Sequence, residues 1–376
     1  MRSAWTSCSS SSSREMGARS PTWPGPGGES AVSFMAVVSA AAASALSVAA
    51  RALVALPCAS MDRPLHFGVT LPQIKRGWQE ARAAAESFDR LGFDSVWVCD
   101  HLYGVPMPQL PILEAWTELA AVAAVTEQVK LGTLVTPPFF RNPAVLAKQI
   151  ATIDQIAPGR VIAGLGGGWF QAEFEAYGVP FPSTGERLAA LEEMTKIMKS
   201  LWTDERTSFE GRHFQVRDCA LEPKPAQRPA VLIGGSGEKV LMGIAAREAD
   251  IWNNMAVFQG QLEAKVGALR KRCEEVGRDP DELIVSQQCT VVIAEDEATA
   301  KQHLEKAHKV YGGHMGAGLE AHGIWGAPDR VIDCIERHRE LGCTMFVIEF
   351  FGRDTRVPAE LFAETILRHY RPGQGR

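Results

Sequence analysis

From Leu65 onward the chain alternates eight times between short apolar runs and longer segments of helical periodicity. That rhythm restricts the fold to the parallel α/β class. The strand candidates are Leu65–Thr70, Ser95–Cys99, Val129–Leu134, Arg160–Leu165, Ala230–Gly234, Ile251–Asn253, Leu283–Ile293 and Met345–Phe350. The spacing predicts helices over Trp78–Leu91, Glu114–Thr126, Pro143–Ile156, Gly185–Trp202, Glu238–Arg247, Gln261–Val276, Ala298–Lys309 and Pro328–Leu341, with Leu361–Tyr370 as a closing helix. Asn142 suits an N-cap, Pro143 and Pro328 suit first turns, and Gly92, Gly277 and Gly342 suit left-handed helix ends. Val96-Trp97-Val98 and Phe346-Val347-Ile348 are apolar at consecutive positions, the mark of strands buried on both faces. Eight such units predict a (β/α)8 TIM barrel. An open doubly wound sheet is disfavoured, because no G-x-G-x-x-G follows the first strand. Between Trp169 and Ala230 the chain is far longer than one β/α unit needs, which predicts an insertion after strand 4 with a hairpin at 207–214. Tyr311 to Gly326, rich in glycine and holding His314 and His322, is either a wall of the site or plain surface chain.

Two of these strands end in glycine. Val161-Ile162-Ala163-Gly164-Leu165-Gly166-Gly167-Gly168-Trp169 leads into Gln171-Ala172-Glu173-Phe174, and Val231-Leu232-Ile233-Gly234-Gly235-Ser236-Gly237 opens the next helix. Residues without side chains at the carboxyl end of a buried strand let backbone N–H groups approach a ligand. Each turn taken singly is as well explained by close packing. Together they point to a phosphorylated cofactor lying across the strand ends.

Residues 1–61 read differently from the body at 62–376. Ser9 to Ser13 is a serine run, Pro21 to Gly28 is rich in Pro and Gly, and Met35 to Ala59 is rich in alanine. Met61 stands just before the first strand, so these residues are expected to be a disordered leader or a mis-assigned extension. Only four of the 39 basic and two of the 44 acidic residues fall before Met61, leaving the body at net −7. An acidic body with no basic stripe argues against a nucleic-acid partner. No run reaches the ~18 strongly apolar residues that a membrane helix needs. None of the six cysteines in the body forms a C-x-x-C pair, which fits reduced thiols in a cytoplasmic protein.

Asp94-Ser95-Val96-Trp97-Val98-Cys99-Asp100-His101 and Lys130-Leu131-Gly132-Thr133-Leu134-Val135-Thr136 resemble the bacterial-luciferase-like superfamily of flavin- and deazaflavin-dependent oxidoreductases. Arg141-Asn142-Pro143, Gly159-Arg160, Gly166-Gly167-Gly168-Trp169, Ile233-Gly234-Gly235-Ser236-Gly237 and Gly326-Ala327-Pro328-Asp329 agree with it in order and spacing. Asp100-His101 after the second strand is most similar to the F420-dependent branch. The resemblance implies a ring-shaped cofactor, coenzyme F420 or alternatively FMN, at the carboxyl ends of the strands. It also implies a bulge and a non-prolyl cis peptide, matched by Thr133-Leu134.

On this resemblance His101 takes or gives a proton during hydride transfer, a task suited to imidazole. Its alternative is a histidine bonded to the barrel rim. Asp100 either orients His101 or caps the turn. Thr133, Leu134, Gly166, Gly167 and Gly168 would face the cofactor, and Gly234, Gly235, Ser236 and Gly237 would hold its phosphate, with Lys239 nearby. Trp169 would stack on substrate or ring, or fill the core. Sugar-phosphate dehydrogenases of this branch are expected to carry a glutamate where Trp169 stands, which argues against that substrate. Glu173 and Tyr177 are the nearest replacements for the acid.

The leading expectation is hydride transfer between F420 and a small organic substrate. The alternatives are an FMN-dependent monooxygenase using dioxygen and a non-catalytic flavin- or deazaflavin-binding protein. A metal-dependent hydrolase built on Asp100, His101, His314 and His322 is disfavoured, since the chain has no His-x-His. A homodimer through the 114–126 helix is expected by analogy.

Overall fold

The computed structural model describes residues 63–371 except 106, 313, 314 and 317. The expected leader over 1–61 and His314 lie outside the described residues. The first half of the ring runs β1 (His66–Thr70), α1 (Trp78–Leu91), β2 (Ser95–Val98), α2 (Ala115–Ala123), β3 (Lys130–Thr133), α3 (Pro143–Ile156) and β4 (Val161–Gly166). Helices α4 (Gln171–Ala176) and α5 (Thr184–Thr203) and an antiparallel hairpin, β5 (Thr207–Glu210) with β6 (Gln215–Cys219), follow before β7 (Ala230–Gly234). Then come α6 (Leu241–Glu248), β8 (Ile251–Asn254), α7 (Leu262–Glu275), β9 (Ile284–Ile293) and α8 (Glu297–Tyr311). A short α9 (Leu319–His322), β10 (Ile324–Gly326), α10 (Pro328–Glu340), β11 (Cys343–Phe350) and α11 (Arg356–Phe362) complete the order.

Eight parallel strands close the ring in the order β1-β2-β3-β4-β7-β8-β9-β11, with β11 pairing back onto β1. β10 is attached outside the ring, to β9 alone. The predicted barrel is therefore present, and α1 and α3 match their predicted bounds to the residue. Asn142 caps α3, its side-chain oxygen accepting from the N–H groups of Ala144 (2.9 Å) and Val145 (3.3 Å). Gly92, Gly277 and Gly342 all have positive φ at helix ends, as expected.

The core has two compartments. Between strands and helices lies a continuous apolar layer. Inside the ring, Trp97, Ile162, Leu232, Ile251, Met345 and Val347 fill the lumen. The Trp97 indole N–H donates to Ser95 Oγ (2.8 Å), so the one polar atom of this large ring is satisfied.

The end of β3 sets up the mouth of the barrel. Gly132 pairs with Ile162 and Thr136 with Leu165, so four steps on one chain match three on the other. The extra residue is a bulge. The expected cis peptide is present one residue later than predicted, between Leu134 and Val135 instead of Thr133 and Leu134. The register explains the offset, because Thr133 still pairs with Val98 in β2 and the chain leaves the ladder only after it.

Candidate active site

His101 follows β2 at the carboxyl-terminal mouth of the ring. Its Nδ1 lies 2.8 Å from Oε1 of Glu173 on α4, and the other carboxylate oxygen accepts the Leu102 N–H at 3.0 Å. Glu173 is only 2% exposed, whereas His101 keeps 18% of its side-chain surface open. A carboxylate only accepts, so Nδ1 carries the proton of this bond and Nε2 is left to face a reactant. Tyr177 on the same segment donates its hydroxyl to the Leu102 carbonyl at 2.8 Å. Tyr103 meets Phe170 edge-on at 5.8 Å, so α4 is stitched to the 101–103 loop by both polar and aromatic contacts. Trp169 stands edge-on to His101 with ring centres 6.1 Å apart and is 55% exposed, which makes it a rim residue and not a core aromatic.

Asp100 does not touch His101 through a hydrogen bond. Its carboxylate takes a two-pronged bond from Arg141 (2.6 and 3.1 Å) and accepts from the Thr136 hydroxyl (2.6 Å). Arg141 also pairs with Glu114. Burial opposes charge on Arg141, but the carboxylates of Asp100 and Glu114 outweigh it and push the guanidinium up. Burial pushes Asp100 up as well, while Arg141 and Thr136 pull it down. A guanidinium cannot give up its proton, so its fork holds Asp100 as the carboxylate. Asp100 thus anchors the end of β2 to the loop after β3. Arg141 belongs to a motif visible in the sequence, but its partner 41 residues away is a product of the fold.

A second brace holds Cys99. Gln73, in the loop after β1, accepts from the Cys99 N–H (2.6 Å) and donates to its carbonyl (3.1 Å). Its amide also reaches Glu118 on α2 at 3.4 Å. Glu118 is 3% exposed and its other oxygen has no partner. Burial pushes its carboxyl to about 7, with Gln73 opposing and Glu114 adding to the rise. The fold therefore favours the protonated form. That preference stabilises the protein fully below the unfolded value of 4.5 and is lost as pH rises through about 7. Glu118→Gln is expected to match the wild type near pH 4.5 and to exceed it by about 3 kcal/mol at pH 8. Chemical denaturation at the two pH values checks this, and a difference independent of pH would be the wrong result.

The glycine turns are shaped first by packing. A side chain at Gly166 or Gly234 would run into Val135, which stands between the two turns. One at Gly168 would meet Phe174 and Pro137, and one at Gly235 would meet Leu241. Gly166 N–H donates to the Thr136 carbonyl and Gly235 N–H to that of Asn253. The N–H groups of Gly167, Gly168, Ser236 and Gly237 have no backbone acceptor among the described residues. Ser236 sends its hydroxyl to Asn254 (3.1 Å), and its carbonyl accepts from the Lys265 ammonium (3.1 Å). The helix after this turn begins at Leu241, later than the predicted Glu238. Arg272 takes the Glu238 carbonyl and Lys265 its carboxylate, so Glu238 to Val240 stay a turn. Open N–H donors before α6, beside a buried lysine, form a donor set suited to an anionic cofactor. At the bulge Thr133 is buried and its Oγ1 donates to the Gly164 carbonyl (2.8 Å), while Leu134 is half-buried against the lumen cluster.

The family model for luciferase-like monooxygenases matches residues 63–327 of this chain. The chain belongs to that family. Among relatives of this luciferase-like barrel, an F420-dependent glucose-6-phosphate dehydrogenase from Kineococcus radiotolerans is 35% identical over 215 residues, covering 56% of this chain and 63% of the relative. One of the same description from Nakamurella multipartita is 30% identical over 343 residues, covering 83% and 99%. The solved structure of an F420-dependent secondary alcohol dehydrogenase with an F420-acetone adduct superposes with a TM-score of 0.70. It covers 81% of this chain and 99% of its own at 24% identity, a likeness of fold alone.

Two cavities of the luciferase-like barrel lie away from His101. A small one is lined by Arg63, Cys273 and Leu341 near the amino ends of the strands. The other, about 620 Å³, is a groove on the outer faces of α2 and α3 beside Ala220 and Leu221. Active sites of barrels of this fold sit at the opposite, carboxyl-terminal face from the first cavity. Among the described residues no three His, Cys, Asp or Glu side chains are grouped to hold a metal ion.

Proposed function

We propose that this luciferase-like enzyme moves a hydride between coenzyme F420 and a small organic substrate at the carboxyl-terminal mouth of its barrel. The observation that carries the reading is the His101–Glu173 pair, an oriented acid–base group at the mouth beside the exposed face of Trp169. The cofactor, when bound, supplies or accepts the hydride. Ser236 and Gly237 would hold its phosphate by N–H donors, with Gly167 and Gly168 along its chain. His101 holds or moves the proton at Nε2, and Glu173 fixes the ring tautomer that leaves Nε2 available. The mouth faces of Trp169 and Tyr177 would receive the substrate. With Trp169 where the sugar-phosphate dehydrogenases are expected to carry a glutamate, oxidation of glucose 6-phosphate is not the favoured reaction.

An FMN-dependent monooxygenase is the second reading, favoured by the family the chain belongs to. Titration of the purified protein with F420 and with FMN, followed by the fluorescence of each, distinguishes them. The expected outcome is saturable binding of F420 and at least tenfold weaker binding of FMN, a gap of about 1.4 kcal/mol. Tighter FMN binding, with oxygen consumption on reduction, would reverse the order of the two readings.

A homodimer would use the groove on α2 and α3, where Val145 is 56% exposed. The six cysteines among the described residues are unpaired by disulfides, which supports placement in a reducing cytoplasm. Among the described residues no helix is long and apolar enough to cross a membrane.

A further inference from the structure

β2 ends at Val98, and each of the four residues that follow it is held by side chains from another excursion of the chain. Asp100 is gripped by Arg141 and Thr136 from the stretch after β3. His101 and Leu102 are held by Glu173, and Leu102 also by Tyr177, both from the excursion after β4. Cys99, the first of the four, is held by Gln73 from the loop after β1.

The Gln73 contact has the pattern of a ladder rung. Thr70 pairs with Trp97, and the Leu71 N–H donates to the Trp97 carbonyl at 2.8 Å. Continued as main chain, this parallel ladder would give the Cys99 N–H to the Leu71 carbonyl and the Gln73 N–H to the Cys99 carbonyl. β1 has ended at Thr70, and the Gln73 side chain supplies both partners instead. Its Oε1 accepts from the Cys99 N–H at 2.6 Å, and its Nε2 donates to the Cys99 carbonyl at 3.1 Å. The second Nε2 proton points at Glu118, 3.4 Å away. Among side chains only Asn and Gln offer an N–H and a carbonyl on one planar group, which is what standing in for a peptide requires. Gln73 is 9% exposed, a setting in which hydrogen bonds are costly to leave unmade.

We propose that Gln73 is a positioning residue for His101: its amide extends the β1–β2 pairing by one rung and fixes the backbone from which the imidazole meets Glu173. This deepens the hydride-transfer reading, in which His101 holds or moves a proton, and rests on it. A proton-transfer group works only within about 0.5 Å and 10–20° of its productive geometry. Glu173 fixes the ring through its Nδ1, while Gln73 fixes the main chain two residues before it. Released at Cys99, the strand end can swing and pull the imidazole off its carboxylate. Glu118 bonds to the amide and not to the Cys99 main chain, so it sits behind this brace without being the brace.

The test uses the full chain, with and without F420, and follows the His101 Nδ1 proton by proton–nitrogen NMR, identified by its loss in His101→Ala. In the wild type this proton should exchange slowly, because Glu173 is its acceptor. Gln73→Met keeps the chain length, removes both bonds to Cys99 and should speed the exchange about tenfold, the scale of one lost hydrogen bond. Gln73→Glu keeps the shape and the acceptor for the Cys99 N–H, and should fall between wild type and Gln73→Met. Glu118→Gln separates positioning from overall stability. It changes stability at pH 8 as described above, yet should leave the imidazole proton within about twofold of wild type. Wild-type exchange in both Gln73 variants, or an imidazole proton that follows stability in Glu118→Gln as well, would overturn the proposal. So would the absence of a slow Nδ1 proton in the wild type. Failure of the cofactor reading shows separately, as a flat F420 fluorescence titration in the wild type, and leaves the exchange rates to decide on Gln73.

Discussion

Gly164→Ala is expected to leave no soluble, folded barrel. A methyl group built at Gly164 overlaps the carbonyl oxygen of Thr133 in the neighbouring strand. The obstacle is main chain, so no change of rotamer relieves it. Neither strand is free to retreat. Thr133 Oγ1 and Thr136 N–H both donate to the Gly164 carbonyl at 2.8 Å, and Gly164 is also laddered to Leu232. The cost should be about 4 kcal/mol or more, a large part of the stability of an ordinary domain. Gly267 provides the control, since a side chain there in the middle of α7 meets nothing within 4 Å. Gly267→Ala should stabilise by about 0.5–1 kcal/mol through helix propensity. Soluble yield and denaturation midpoints of the two variants decide the matter. A Gly164→Ala protein with the wild-type midpoint would mean that the β3–β4 approach is looser than described.

His101→Ala should lower turnover by about 10²–10⁴-fold while leaving F420 affinity within a few-fold of wild type. The side chain supplies a proton position and little of the donor set around Ser236 and Gly237, which is why the two measurements separate. Glu173→Gln gives a finer test. The Leu102 N–H needs an acceptor, so the amide oxygen would turn toward it and the amide nitrogen toward His101 Nδ1. That arrangement forces the ring proton onto Nε2 and takes away its capacity to accept. A smaller loss than in His101→Ala is expected, rescued at no pH, because the tautomer and not the charge has changed. Wild-type turnover in His101→Ala would remove the residue from the mechanism.

Much of the frame was legible before the structure. Periodicity located α1 and α3 to the residue, and the eight barrel strands within one or two residues, because most of them have consecutive apolar positions between helical segments. The site was less legible. Asp100 and His101 are adjacent in sequence, yet their partners, Arg141 and Glu173, come from different excursions of the chain. Glu173 was visible as a nearby acid, but its contact with His101 spans 72 residues. No periodicity encodes such a pair. Each glycine turn could be read singly as a close-packing turn or as part of a ligand cradle, and Val135 and Leu241 do account for much of the missing side-chain volume. Gln73 and Glu118 gave no local signal, since a loop glutamine and a helix glutamate are ordinarily solvated.

The dependence of His101 on Glu173 bears on how such barrels diversify. The excursion after β4 brings the carboxylate that sets the imidazole, the tyrosine that clamps its loop and the tryptophan at the rim. Grafting that stretch from a relative would therefore exchange substrate preference and proton chemistry as a single cassette. A graft that omits position 173 would inherit a new entrance with a histidine left to rotate freely.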